Sequence, residues 1–62
     1  MNTYWFEVVG ADSILCGEQF FVEAYSYDEA RAIVNEYFPN EKIACYGKVS
    51  EDEAEMMGFD TY

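Results

Sequence analysis

The sequence predicts an α+β domain whose three-stranded antiparallel sheet has the order 2-1-3, with one main helix on one face and a short C-terminal helix. Three observations carry this. Three segments alternate apolar and polar residues at period two, and the segment between the second and third repeats apolar residues at helical spacing. Two Ser-x-x-Glu boxes, at Ser26 and Ser50, mark helix starts.

Thr3 to Val9 is rich in aromatic and β-branched residues, with Tyr4, Phe6 and Val8 on one side and Trp5, Glu7 and Val9 on the other. Gly10 to Gly17 carries turn residues and forms a connecting loop that lets Ile14 or Leu15 fold back onto the core. Glu18 to Tyr25 is the second strand and completes an antiparallel hairpin, with Phe20, Val22 and Ala24 facing one way and Gln19, Phe21 and Glu23 the other.

At Ser26 the capping box has the serine hydroxyl accepting from the Glu29 amide while the Glu29 carboxylate reaches back to the serine amide. Ala30, Ile33, Val34 and Tyr37 then form one apolar stripe, with Asp28, Arg31, Asn35 and Glu36 pointing away. Pro39 ends the helix, which spans 26 to 38, because the residue before proline is pushed out of helical dihedrals. Lys42 to Val49 resumes alternation, with Ile43, Cys45, Gly47 and Val49 on one side and Lys42, Ala44, Tyr46 and Lys48 on the other. The second box, Ser50 to Glu53, opens a helix of about two turns that Gly58 closes, leaving Phe59 to Tyr62 as a tail. The helical crossover makes the second and third strands parallel, so both pair antiparallel with the first.

Sixty-two residues fit one domain, 1–62, and a domain of about 60 residues buries only roughly 60% of its unfolded surface, so the core is small. Thirteen acidic residues against three basic ones and no histidine give a net charge of −10. A composition 52% hydrophobic and 19% aromatic excludes an acidic disordered tail. The charge argues against direct contact with nucleic acid or an anionic membrane, both of which require Lys and Arg, and favours basic partners. No apolar run approaches the roughly 18 residues of a membrane span, and no basic stretch precedes an apolar one at the start. With Met1 in place and no linker or repeat, the expectation is a complete small gene product.

On the face of Trp5, Glu7, Val9, Phe21 and Glu23, Lys42 and Lys48 are expected to neutralise the two glutamates across the strands. The excess acid then lies on the loop, the helices and above all residues 51 to 55. On a helix Glu51 and Glu55 are i, i+4 neighbours and Asp52 and Glu55 i, i+3, placing carboxylates roughly 5–6 Å apart. One reading is a solvated first turn; the other is a row of carboxylates imitating nucleic-acid phosphates and entering a basic groove.

Trp5, Phe21 and Tyr46 resemble in geometry an aromatic platform for single-stranded bases, but the basic funnel such a site needs is missing. The expectation is that the C-terminal segment covers them through Met56, Met57 and Phe59, or that they form a protein-binding patch. Calcium coordination lacks its loop motif, and Cys16 and Cys45 lack metal or redox spacing, so no metal or cofactor is expected. Without histidine, a nucleophile elbow or a phosphate-cradling loop, the reading is not an enzyme.

The run Phe21-Val22-Glu23-Ala24-Tyr25-Ser26-Tyr27-Asp28-Glu29-Ala30 resembles the strand-to-capped-helix junction common in very small phage and mobile-element proteins. In size, acidity and α+β pattern the chain resembles small phage-encoded anti-CRISPR proteins and other DNA-mimic inhibitors. That resemblance implies the cytoplasm of a bacterial host and binding at the basic DNA-contacting surface of a CRISPR effector, usually near the site that reads the protospacer-adjacent motif. The family has no defined residue motif to carry over.

The leading expectation is a non-enzymatic inhibitor, monomer or weak dimer, of a CRISPR effector subunit or restriction-type enzyme. Its partner-binding residues are Glu51, Asp52, Glu53 and Glu55, with Asp28, Glu29 and Glu36, and apolar contacts from Met56, Met57, Phe59 or Tyr62. The alternative is a small adaptor or homodimer that uses Trp5, Phe21 and Tyr46, its acidity serving solubility.

Overall fold

The computed structural model describes all of residues 1–62. Its elements are β1 (Asn2–Val8), β2 (Gln19–Ala24), α1 (Tyr27–Tyr37), β3 (Ile43–Val49), α2 (Glu51–Met57) and β4 (Asp60–Thr61). The α+β class and the sequence of the first five elements are as the alternation, spacing and capping boxes predict. The sheet differs: it has four strands in the order β3-β1-β2-β4, and β4 joins the edge of β2 in parallel. The tail after Gly58 therefore contains a two-residue strand, and a purely antiparallel sheet is corrected to a mixed one.

Both β2 and β3 pair antiparallel with β1, which places the most apolar strand between them. Eight of the nine buried residues form one cluster on a single side of the sheet: Tyr4, Phe6, Val8, Phe20, Val22 and Ala24 from the strands, Ala30 and Val34 from α1. Leu15 folds back onto this cluster, while Ile14 stays in solvent. Of the expected helix stripe, Tyr37 is exposed and rests instead on the Tyr62 ring, 5.0 Å between centroids. Arg31, expected to point away, is half-buried and donates from Nη1 to the Ile43 carbonyl at 3.2 Å.

The ninth buried residue, Phe21, lies on the other face beneath Phe59, ring centroids 5.5 Å apart. This is the side that α2 crosses, because Glu51, Ala54 and Glu55 share a groove there with Thr3 and Glu23. From β3 to β4 the chain spans three strand spacings, about 14 Å, and seven helical residues supply about 10 Å of that. Gly58, in the left-handed region at φ 71°, turns the chain so that Phe59 completes the crossing. The crossovers through α1 and α2 run in opposite directions over opposite faces, so they share one hand.

β3 also departs from uniform alternation. Cys45 pairs with Phe6 and Gly47 with Trp5, leaving Tyr46 as the extra residue of a β-bulge. Gly47 has φ 99°, a conformation that favours glycine. Beyond the bulge the parity reverses: Lys48 stands opposite Tyr4 on the α1 face, and Val49 opposite Thr3 on the α2 face. The sequence-based placement of Lys48 beside Trp5, and of Gly47 and Val49 on the core side, is corrected accordingly.

Candidate functional site

Ser50 and Gly58 fix the ends of α2. The Ser50 hydroxyl accepts from the Glu53 amide at 3.1 Å and donates to Glu53 Oε1 at 3.2 Å, while the Gly58 amide donates to the Ala54 carbonyl. The Glu53 carboxylate thus meets the serine hydroxyl rather than the serine amide that a full capping box would use. Between the caps, Glu51, Asp52, Glu53, Glu55 and Met56 are exposed and none of the seven helical residues is buried. The carboxylates therefore stay in water, where their attraction for a cation is long-ranged and salt-sensitive.

A groove of about 490 Å³ separates α2 from the sheet, with Glu51 and Glu55 on the helix side, Glu23 on the β2 side and Phe59 at its end. The structure thus brings Glu23 to the predicted acidic segment, a grouping absent from the sequence-based set. Phe59 serves as a lid on Phe21, and Met57 is half-buried, whereas Met56 is 88% exposed and covers none of the aromatic residues.

Asp28, Glu29 and Glu36 lie on α1, across the sheet from α2. In this capping box the Ser26 hydroxyl accepts from the Glu29 amide at 3.2 Å as expected. The Glu29 carboxylate, however, accepts from the Tyr25 amide at 3.2 Å instead of the Ser26 amide. The acidic residues grouped from sequence thus form two surfaces that point in opposite directions. No single flat surface can touch both at once.

The aromatic residues divide as well. Phe21 is covered, but Trp5 is half-buried and Tyr46 is 52% exposed. Their rings meet at 4.8 Å between centroids with a 49° tilt, in the space that the side-chain-free Gly47 leaves opposite Trp5. Gln19 Oε1 accepts from the Trp5 indole N–H at 2.9 Å, and Tyr46 donates its hydroxyl to Glu7 Oε1. That bond to a carboxylate, with a smaller contribution from desolvation and the repulsion of a phenolate by Glu7, raises the Tyr46 phenol above its usual 10.

Glu7 takes a phenol, Tyr46, as its partner, while the bulge turns Lys48 to the opposite face. Sequence reasoning treated Glu7 and Glu23 as neutralised and so missed both as contributors to an anionic surface. A glycine in mid-strand, Gly47, was the available signal, since such glycines often mark bulges.

No three of the chain's Asp, Glu and Cys side chains converge in a way that would hold a metal ion. No helix is long and apolar enough to cross a membrane. The chain matches no known protein family, and neither a curated protein nor a solved structure shows significant similarity to it.

Proposed function

We propose that this chain is a non-enzymatic inhibitor that docks its α2 face onto the basic nucleic-acid-binding surface of a CRISPR effector or a restriction-type enzyme and excludes DNA. The observation that carries this reading is the charge density of α2. Four carboxylates along about 10.5 Å of helix give about one charge per 2.6 Å of axis, against about one per 1.7 Å for duplex DNA. Glu23 across the groove adds a fifth, and Phe59 and Met56 supply apolar contact beside them. Asp28, Glu29 and Glu36 contribute to the long-range field that steers the encounter and stay outside the contact itself.

The test is competition with DNA for purified effectors, followed by gel shift at low and high salt. The chain displaces DNA from its target, and its affinity falls about tenfold or more between 50 and 300 mM salt. Reversing Glu51, Asp52 and Glu55 to lysine abolishes competition while circular dichroism shows the fold intact. Competition that survives both changes refutes the mimic. The half-exposed Tyr46 beside Trp5 favours a second reading, a homodimer or adaptor built on that face. This reading requires a mass that rises with concentration and binding that fails on Tyr46→Ala but persists after the charge reversal.

A further inference from the structure

We infer that Trp5, Tyr46 and Glu7 form an anchor for one arginine side chain of a basic partner. The inference deepens the reading above and rests on it, because it names the chemistry by which such a partner is gripped beside α2. Two features converge. The tilted rings of Trp5 and Tyr46, 4.8 Å apart, present aromatic surface to solvent. Glu7 gives one oxygen to the Tyr46 hydroxyl and leaves Oε2 open to a donor.

A guanidinium satisfies both at once. It is planar and weakly hydrated, stacks on an aromatic ring and donates to a carboxylate in the same pose. An ammonium meets the carboxylate but stacks less well. A nucleobase could stack, yet its phosphate meets a chain of net charge −10. Trp5 is already fixed by Gln19 and Tyr46 by Glu7, so a ligand finds both rings ordered and little side-chain freedom is lost on binding.

For this site, charge favours the arginine of a basic partner over the second copy that the homodimer reading places there. The chain has one arginine, Arg31, which is half-buried and bonded to the Ile43 carbonyl on the α1 side. Two copies would also bring together two chains of net charge −10.

Trp5 is the only tryptophan, so its indole N–H gives a single reporter signal in a two-dimensional ¹H–¹⁵N spectrum. The probe is the blocked tripeptide acetyl-Gly-Arg-Gly-amide, titrated beside its lysine counterpart. Saturable shifts are expected at the Trp5 indole and the Tyr46 amide, with the lysine peptide about threefold weaker or more. Glu7→Gln weakens the arginine peptide about fivefold, and Tyr46→Phe, which keeps the ring but frees Glu7, weakens it less. Unchanged dispersion of the spectrum confirms that each variant is folded.

Glu51→Gln with Asp52→Asn and Glu55→Gln leaves the Trp5 response within about twofold, which separates this site from the α2 reading. If that variant loses DNA competition while the Trp5 response persists, both hold. If wild-type competition is absent and the Trp5 response remains, the mimic alone fails. No binding, equal binding of the two peptides, or shifts confined to α2 overturn the anchor.

Discussion

Replacing Gly47 with alanine tests the structural feature on which the charge distribution depends. A Cβ at Gly47 meets nothing within 4 Å, so steric crowding contributes nothing and only the backbone conformation matters. At φ 99° an L-residue bears a strain of about 1–2 kcal/mol. Alanine also restricts the unfolded chain, a gain of about 0.4–1 kcal/mol wherever the native conformation suits it. Gly10→Ala isolates that gain, because Gly10 lies outside the left-handed region and its Cβ would meet Lys42 Cβ at an ordinary 3.5 Å. The difference between the two variants is therefore the strain alone. For 62 residues the unfolding entropy is about 130 cal/mol/K near 60 °C, so that strain separates the two melting temperatures by roughly 8–15 °C. Scanning calorimetry on both variants and the wild type measures it directly. If the two variants melt within about 3 °C of each other, Gly47 does not pin a bulge. β3 would then alternate straight through, and Lys48 would return to the Trp5 face opposite Thr3.

Three further outcomes follow from the hydrogen bonds. In a spectrophotometric titration, one of the six tyrosines deprotonates above the usual 10, and Glu7→Gln brings it back by removing both the acceptor charge and the repulsion. Because the folded state favours the protonated phenol, the stabilisation from this contact is complete below pH 10 and lost as pH rises through the raised value; a Glu7→Gln titration curve that overlays the wild type refutes the contact. Ser26→Ala lowers global stability by about 0.5–2 kcal/mol, since α1 carries the buried Ala30 and Val34. Ser50→Ala instead speeds amide exchange within α2 while the melting temperature barely moves, because α2 has no fully buried residue. A large global loss from Ser50→Ala would make α2 part of the cooperative core.

The readable parts of this fold were those where side-chain periodicity and burial agree. Ser26, the Ala30 to Val34 stripe and Pro39 placed α1 within a residue at each end, and Phe6, Val8, Phe20 and Val22 marked the core face. β4 escaped because two residues are too short to alternate, although Phe59, Thr61 and Tyr62 after the turn at Gly58 are residue types that favour strands. The bulge escaped for a different reason. Ile43 to Val49 alternates plausibly in either phase, and only the backbone of Gly47 decides which phase holds after Tyr46. That single residue moved Lys48 across the sheet, so the error in the fold was small and its electrostatic consequence was large. The acidic segment itself was legible in sequence, while its proximity to Glu23 was not, since that depends on α2 crossing back over the sheet.

The proposed charge mimicry accounts for the short strand that ends the chain, Asp60–Thr61. Rows of carboxylates imitate phosphates only if their spacing is held, yet like charges at i, i+3 and i, i+4 work against α2 by a few tenths of a kcal/mol per pair. The helix has no buried face to offset that repulsion, and seven residues are far below the length at which a helix is stable alone. Its order must come from its two ends. At the first, Val49 is held in the ladder opposite Thr3 and Ser50 caps the helix. At the second, Phe59 seats on the buried Phe21, and beyond it the Tyr62 amide and carbonyl bond to Phe21 and Glu23 of β2. The Tyr62 ring then packs edge-on against Phe20 and Phe38, 5.5 and 5.7 Å between centroids, on the far side of the sheet. Phe59 and Tyr62 thus grip β2 from opposite faces, and the acidic helix is stretched between that clamp and the end of β3.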